Sequence, residues 1–320
     1  MKAFQYVTAQ SVDSARELLG PRASYLAGGN DLLARMKEYL AEPDLLVNVK
    51  SIPGLADIEP GDGHWTLGAQ VTIARIEQDP QIRKLFPALH EAAAEVGSLQ
   101  IRNVATLGGN LAQHSRCWYY RHRDVVCLKK KGPTCFARLG ENKFHSLFTG
   151  NPCISTVVSN LSIALAALGA VVLVQQGKQT VRWSIADLYA KAWDNPIAHH
   201  SLAHGDLILK VELPVEPGRS AYGQISEKGA FDWALVSCAA AAVFDDGRVK
   251  QARIVLGAVA PVPYQVEAAN DLLKGKKIDE SLAARAADRL LAGAEPLEHN
   301  GYKIPMARAL IQRTLLKLMG

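Results

Sequence analysis

Residues 116–135 read RCWYYRHRDVVCLKKKGPTC, gathering three of the chain's five cysteines and six arginines and lysines. A fourth cysteine follows in TGNPCIST, so that Cys117, Cys127, Cys135 and Cys153 form the pattern C-x9-C-x7-C-x17-C. Thiols so grouped can pack, form disulfides or serve as ligands. In a reducing compartment, clustered cysteines are more often metal ligands or redox groups than disulfide partners. Zinc ribbons and fingers use short knuckles of about two to four residues between ligands, and none occurs here. Four thiolates spread along an irregular loop suit a cubane [4Fe–4S] cluster, whose iron corners each take one thiolate. Arg116, Arg121, Arg123, Lys129, Lys130 and Lys131 would offset the charge of such a cluster, or form a solvated or docking surface. Trp118, Tyr119 and Tyr120 are read as packing residues, with shielding of a cluster as the alternative. His114, His122 and His145 are read as polar loop residues, since four cysteines already complete a cubane. Cys238, in WALVSCAAAAVF, is a small buried side chain.

Two glycine pairs form the second chemical feature. LAGGNDLL (26–33) places Gly28 and Gly29 between a predicted strand and helix, and NVATLGGNLAQ (103–113) places Gly108 and Gly109 after Thr106. Turns of this kind expose backbone N–H groups that suit a phosphate, and two of them suit a diphosphate held from two sides. The chain has neither G-x-G-x-x-G nor G-x-x-x-x-G-K-[ST], which excludes Rossmann and P-loop readings.

The elements around these residues alternate. SVDSARELLG reads as a helix with Ser11 as cap and Gly20 as stop, ASYLAGG as a strand, and NDLLARMKEYL as a helix. LLVNVK and HWTLGAQ read as strands. TIARIEQDPQIRKLFPALHEAAAEVGS reads as helices broken at Pro80 and Pro87. VSNLSIALAALGA is a helix ended by Gly169, and VVLVQQGKQTVRW a strand pair. Residues 191–206 read as a loop and LILKVELP as a strand. Long strands (AYGQISEK, WALVSCAAAAVFDD, VKQARIVLGAVA) and then helices predict an α+β final domain over 215–320.

Length and composition allow these parts. The chain of 320 residues has 48% hydrophobic and 21% charged residues, ordinary for full cores. Its net charge of +5 is mild and concentrated in 116–143, so nucleic acid is not called for. No run of about 18 apolar residues predicts a membrane span, and the N-terminus lacks signal-peptide features. The expected location is cytoplasmic, or periplasmic if a signal-bearing partner exports the chain already folded.

AGGNDLL, PGL, TLGA, DPQIRKLFPAL and QIRNVATLGGNL, followed by LILKVELP, GAFDWALVS, LGAVAPVP and YKI…LIQRTL, occur in the order of one family. Over essentially its whole length the chain resembles the FAD-binding medium subunit of the xanthine dehydrogenase, or molybdenum hydroxylase, family. The resemblance implies an α+β chain with a two-subdomain, PCMH-type FAD-binding domain over 1–214. Its subdomains would be about 1–55 and 56–214, with a cluster-binding loop insertion at 114–155, followed by an α+β C-terminal domain over 215–320. It implies FAD contacts at Leu26, Ala27, Gly28, Gly29, Asn30, Asp31, Leu32 and Leu33, and at Thr106, Gly109 and Asn110. Further contacts are implied at Asn160 and Leu161, at Ile208 and at Lys228. Asn160 stands where relatives carry an Asp, and Gln224 and Lys228 stand where the family has a K-x-x-x-R pattern, so two polar groups depart from it.

The cysteine insertion is similar to that of flavin subunits in 4-hydroxybenzoyl-CoA reductase and in bacterial aromatic-aldehyde oxidoreductases. Those carry a [4Fe–4S] cluster beside FAD, with Cys117, Cys127, Cys135 and Cys153 as the matching ligands here. The implied role is electron transfer between a large molybdenum-cofactor subunit with its small [2Fe–2S] subunit and an external acceptor or donor. The chain itself would not act on substrate. A stand-alone FAD oxidoreductase and a zinc-loop nucleic-acid-binding protein are the alternatives.

Overall fold

The computed structural model describes residues 1–215, 218–229 and 231–319. Its first sheet is parallel. β1 (Gln5–Thr8), β2 (Ala23–Leu26) and β3 (Leu45–Asn48) lie in the order β1-β3-β2, with Leu46 and Val47 of the central strand buried. Parallel neighbours need crossovers, and the helices Val12–Leu18 and Leu32–Lys37 supply them. Ser11 and Ser14 form a reciprocal capping box at the first helix. The sequence reading left out β1: four residues with an exposed Tyr6 at a sheet edge carry little hydrophobic signal.

The second sheet is antiparallel. β4 (Ile58–Pro60), β5 (His64–Gly68), β6 (Val171–Gln176), β7 (Gln179–Ser184) and β8 (Leu207–Pro214) run in the order β4-β5-β8-β6-β7. Pro80 and Pro87 begin helices as much as they break them: each is the first residue of the next one, Pro80–Leu85 or Pro87–Ala94. The first part of 191–206 is not a loop. Lys191–Asp194 complete the helix Ile185–Asp194, whose start carries a capping box between Ser184 and Asp187.

The third sheet, β9 (Gly218–Ile225), β10 (Val236–Asp245) and β11 (Arg248–Gly257), is an antiparallel meander. Asp246 and Gly247 link the last two strands with positive φ at both positions, as a two-residue hairpin turn needs. Against the sequence reading, β9 is shifted towards the N-terminus and β10 and β11 are shorter. β9 stops at Ile225, β10 begins at Val236 and β11 stops at Gly257, because Lys228, Trp233 and Ala258 lie in the connecting loops. Ala230, within the GAFDWALVS motif, lies outside the described residues. The helices Glu267–Leu273 and Lys303–Lys317 pack against this sheet and Glu280–Leu291 packs against both of them, with Leu282, Ala286, Leu290, Ile311 and Leu315 in the shared core.

The cysteine insertion has little regular structure: one helical turn, Trp118–Arg121, and two three-residue 3-10 turns. It is held from outside. Leu147 and Phe148 join the core of the C-terminal part, and Leu147 N donates to Val259 O at 2.8 Å. The fully buried Lys303 donates through Nζ to His145 O at 3.0 Å and to Ala258 O at 2.8 Å. Burial pushes that amine down to about 7.

Candidate functional site

The two glycine segments meet although 78 positions separate Gly28 from Thr106. A Cβ on Gly28 would lie 2.2 Å from Val104 O, so only glycine lets the first loop pass this close to the second segment. Gly29 has φ +79°, a left-handed conformation that glycine tolerates. Among the described residues, the amides of Gly28, Gly29, Asn30 and Asp31 have no acceptor within the chain. They edge a cavity of about 570 Å³.

The second segment differs from its expected form. It is not a turn: Gly108 and Gly109 lie inside the helix Leu107–Leu111, which Thr106 caps by accepting from Gly109 N at 3.2 Å. Gly108 N donates to Ala69 O, and Asn110 N to Thr106 O, both at 2.8 Å. The reason is positional: Thr106 meets the requirements of an N-cap, and the residues after it take up the helix. Its amides are therefore committed to the chain, and only the exposed face of Gly109 is open.

Of the expected flavin contacts, Ala27, Gly28, Gly29, Asn30, Asp31, Leu32, Thr106, Gly109, Asn110 and Asn160 line this cavity. Leu26, Leu33, Leu161, Ile208 and Lys228 do not. Leu161 and Ile208 are buried in the main core, Leu26 and Leu33 pack beside Leu32 and Met36, and Lys228 is exposed outside the cavity. Helix and strand periodicity turns the four apolar side chains away while their neighbours face in, and Lys228 lies in the loop after β9.

Asp31 faces the cleft, but its carboxylate is fully engaged. Oδ1 accepts from Arg116 Nη1 at 2.5 Å and Arg121 Nη2 at 2.6 Å; Oδ2 accepts from His114 N at 3.2 Å and forms an ion pair with Arg35, whose Nε lies 3.0 Å away. Burial alone would raise its pKa, yet Arg116, Arg121 and Arg35 outweigh that and hold it well below the usual carboxylate range. Asn160 Nδ2 donates to Gln224 Oε1 at 3.0 Å, and Gln224 Nε2 donates to Glu95 Oε2 at 3.1 Å. The two departures from the family pattern are thus partners of one another, a neutral amide pair at the cleft.

A smaller cavity of about 130 Å³ shares Arg116, Val158, Asn160, Asp232 and Trp233 with the cleft and is also lined by Cys117 and His145. The Arg116 guanidinium sits 4.7 Å from the Trp233 ring centroid. Sequence reasoning missed Arg35, Glu95 and Gln113 at the cleft, and no local motif marks them. Trp233 was visible only as part of GAFDWALVS.

All four insertion cysteines are free thiols, and together they line one small enclosure with Tyr119, Tyr120, Lys129, Phe136 and Ser155. Burial pushes the Cys117 thiol up to about 11, and His145 Nε2 lies 3.2 Å from its Sγ. Interaction between the Cys135 and Cys153 thiols lowers the pKa of Cys153, which Lys129 also favours, and raises that of Cys135, which burial raises further; Cys153 Sγ donates to Ser155 Oγ at 3.4 Å. Among the described residues, no group of three or more His, Cys, Asp or Glu side chains converges closely enough to hold a single metal ion. Of the six basic residues expected to offset a cluster, only Lys129 lines this enclosure. Arg116 and Arg121 are drawn to Asp31, Lys130 Nζ donates to His122 O, and Arg123 pairs with Asp124. Tyr119 and Tyr120 line the enclosure while Trp118 packs edge-on against Phe144.

Comparison with known proteins agrees with these features. Residues 2–216 match the family described as the FAD-binding domain in molybdopterin dehydrogenase, and residues 220–318 the CO dehydrogenase flavoprotein C-terminal domain. The chain is 33% identical to the FAD-binding subunit of an aldehyde oxidoreductase of Escherichia coli, covering 98% of both chains. It is 28% identical to subunit alpha of the 6-hydroxypseudooxynicotine dehydrogenase complex of Paenarthrobacter nicotinovorans, covering 99% of this chain and 95% of that one. A chain of quinoline 2-oxidoreductase from Pseudomonas putida superposes with a TM-score of 0.77 at 28% identity, covering 100% of this chain and 98% of that one. An open cleft at a glycine loop, seen in a chain matched from end to end, leads to one conclusion: the protein belongs to the molybdenum hydroxylase family, as its FAD-binding medium subunit.

Proposed function

We propose that this chain binds FAD in the cleft and a [4Fe–4S] cluster in the cysteine enclosure, and relays electrons between them for a larger molybdenum enzyme. Partners supply the rest: a large molybdenum-cofactor subunit, a small [2Fe–2S] subunit and an external acceptor or donor. The nearest support for a substrate class is the Escherichia coli relative, a subunit of an aldehyde oxidoreductase. No described helix is long and apolar enough to cross a membrane.

The residues fit both groups. The unpaired amides of Gly28–Asp31 offer donors to a diphosphate, and the close approach at Gly28 leaves the backbone bare for it. Four thiols around one enclosure, too spread for a single ion, suit a group whose metal corners each take one sulfur. Lys129 places a buried cation beside them. FAD supplies conversion between two-electron and one-electron transfer, and an iron–sulfur cluster supplies one-electron transfer. Cys117, which lines the enclosure and the cavity beside the cleft, would bring these groups near one another. Among the described residues the cleft presents no nucleophile paired with a base, so substrate chemistry falls to the partner.

The observation that carries the reading is the position of Cys117, which lines both the four-cysteine enclosure and the cavity opening off the cleft. One layer of side chains separates the two sites. Anaerobic purification is expected to yield one FAD and about four iron atoms per chain beyond the partners' iron. Cys127→Ser, Cys135→Ser and Cys153→Ser should each lose that iron. Full iron content in all three variants rejects the cluster, and flavin turnover of an aldehyde without molybdenum rejects the relay role.

A further inference from the structure

We propose that Asp31 is a positioning residue that couples the two sites, making the flavin affinity of the cleft depend on the filled state of the cysteine enclosure. The proposal rests on the flavin and cluster reading above and adds a dependence between them. Its basis is one carboxylate with three hydrogen-bond donors and a further ion pair. Arg116 and Arg121 reach it from the cysteine insertion, Arg35 from the helix after the glycine loop, and the His114 amide from the segment joining the two. Three hydrogen bonds and three guanidinium groups surround it, so Asp31 acts on a ligand through its neighbours.

The same side chains continue in both directions. Arg116 immediately precedes Cys117 and covers Trp233 at the mouth of the cleft. Arg121 closes the turn Trp118–Arg121, in which Tyr120 lines the cysteine enclosure and its hydroxyl meets His114 Nδ1 at 2.7 Å. A four-residue helical turn does not hold itself. Its position comes from Cys117 at its start, from Asp31, and from the bonds that Arg121 and Tyr120 make to Ser115 and His114. When the thiols are bound to a common group, the turn keeps both guanidinium groups on Asp31, and Asp31 holds the loop whose free amides line the cleft. When they are not, the arginines still reach Asp31 but the turn that carries them is held less firmly, and the tether on the loop weakens. Coupling of this kind is reciprocal: filling the cleft stabilises the enclosure by the same factor.

A double-mutant cycle on the full chain, purified anaerobically with its accompanying subunits, tests this, with the FAD dissociation constant and iron content as readouts. Cys127→Ser should lose the iron and weaken FAD binding at least tenfold, although Cys127 does not line the cleft. In the Asp31→Asn background, adding Cys127→Ser should change the FAD constant less than twofold, because the link is already cut. If Asp31→Asn does not accumulate as folded protein, Arg121→Gln is read in the same way, with a ratio between the two. Loss of iron with unchanged FAD affinity overturns the coupling and leaves the cluster reading standing, as does a tenfold effect that persists beside Asp31→Asn. Iron retained by Cys127→Ser overturns the cluster reading and the coupling with it.

Discussion

The two glycine segments look alike in sequence and differ in physics. In the first, Gly28 allows a close backbone approach and Gly29 a left-handed turn, and the amides that follow are unpaired. In the second, Gly108 and Gly109 sit in a capped helix whose amides already have acceptors. Gly108 is needed because a Cβ would press on Ala69 at 2.9 Å, whereas one on Gly109 would meet only the Thr106 hydroxyl, at 3.0 Å. A glycine pair therefore marks a place where the backbone must be bare, and the reason for bareness differs at each position. The first segment has amides free to donate into the cleft; the second supplies part of its wall.

The largest effect is expected at Asp31, beside the first segment. Asp31→Asn leaves Arg35, Arg116 and Arg121 without their shared counter-charge, and breaking a buried pair costs roughly 3–5 kcal/mol. Its folded-state pKa is depressed, so the stabilisation is present above the ordinary value of 3.8 and is lost as pH falls through the lower folded value. Urea unfolding of both proteins should show a constant gap near neutrality that narrows only in strong acid. A gap that closes between pH 7 and 5 would mean that Asp31 is not the group responsible.

Next comes Gly28→Ala. The new methyl meets a backbone carbonyl, which cannot rotate away, and overpacking of this kind costs about 1–3 kcal/mol. Flavin content should fall with stability. A Gly28→Ala chain as stable as wild type would erase the distinction between the two segments.

Part of this was legible in the sequence. The elements carrying strong local signals stood out: the helix ended by Gly169, the β6–β7 pair and the strand Leu207–Pro214. The grouping of the four cysteines around one enclosure was equally readable, since they crowd along one insertion. What escaped was set by distant contacts. The role of Arg116 and Arg121 was read as charge balance for thiols because the sequence cannot show Asp31, 85 positions from Arg116, on the other side of them. Leu161 and Ile208 were expected at the flavin because family motifs locate segments, while the facing of each side chain depends on packing. The helical form of Gly108–Gly109 follows from the cap at Thr106, a signal present in the sequence but outweighed by the glycine pair.

The smallest stability effect, and the sharpest probe of the comparison, is expected from Gly109→Ala. Replacing a helical glycine by alanine gains about 0.5–1 kcal/mol. The added methyl displaces the Thr106 hydroxyl, weakening a cap worth about 1 kcal/mol, so the two changes nearly cancel. The unfolding midpoint should hardly move. Gly109 is exposed on the cleft wall, however, so the methyl occupies space that the ligand needs, and FAD affinity should fall about tenfold. Binding and stability are thereby separated at one position, which Gly28 and Gly29 do not permit. If affinity and stability are both unchanged, the second segment does not touch the flavin, and the loop from Ala27 to Asp31 binds the diphosphate alone.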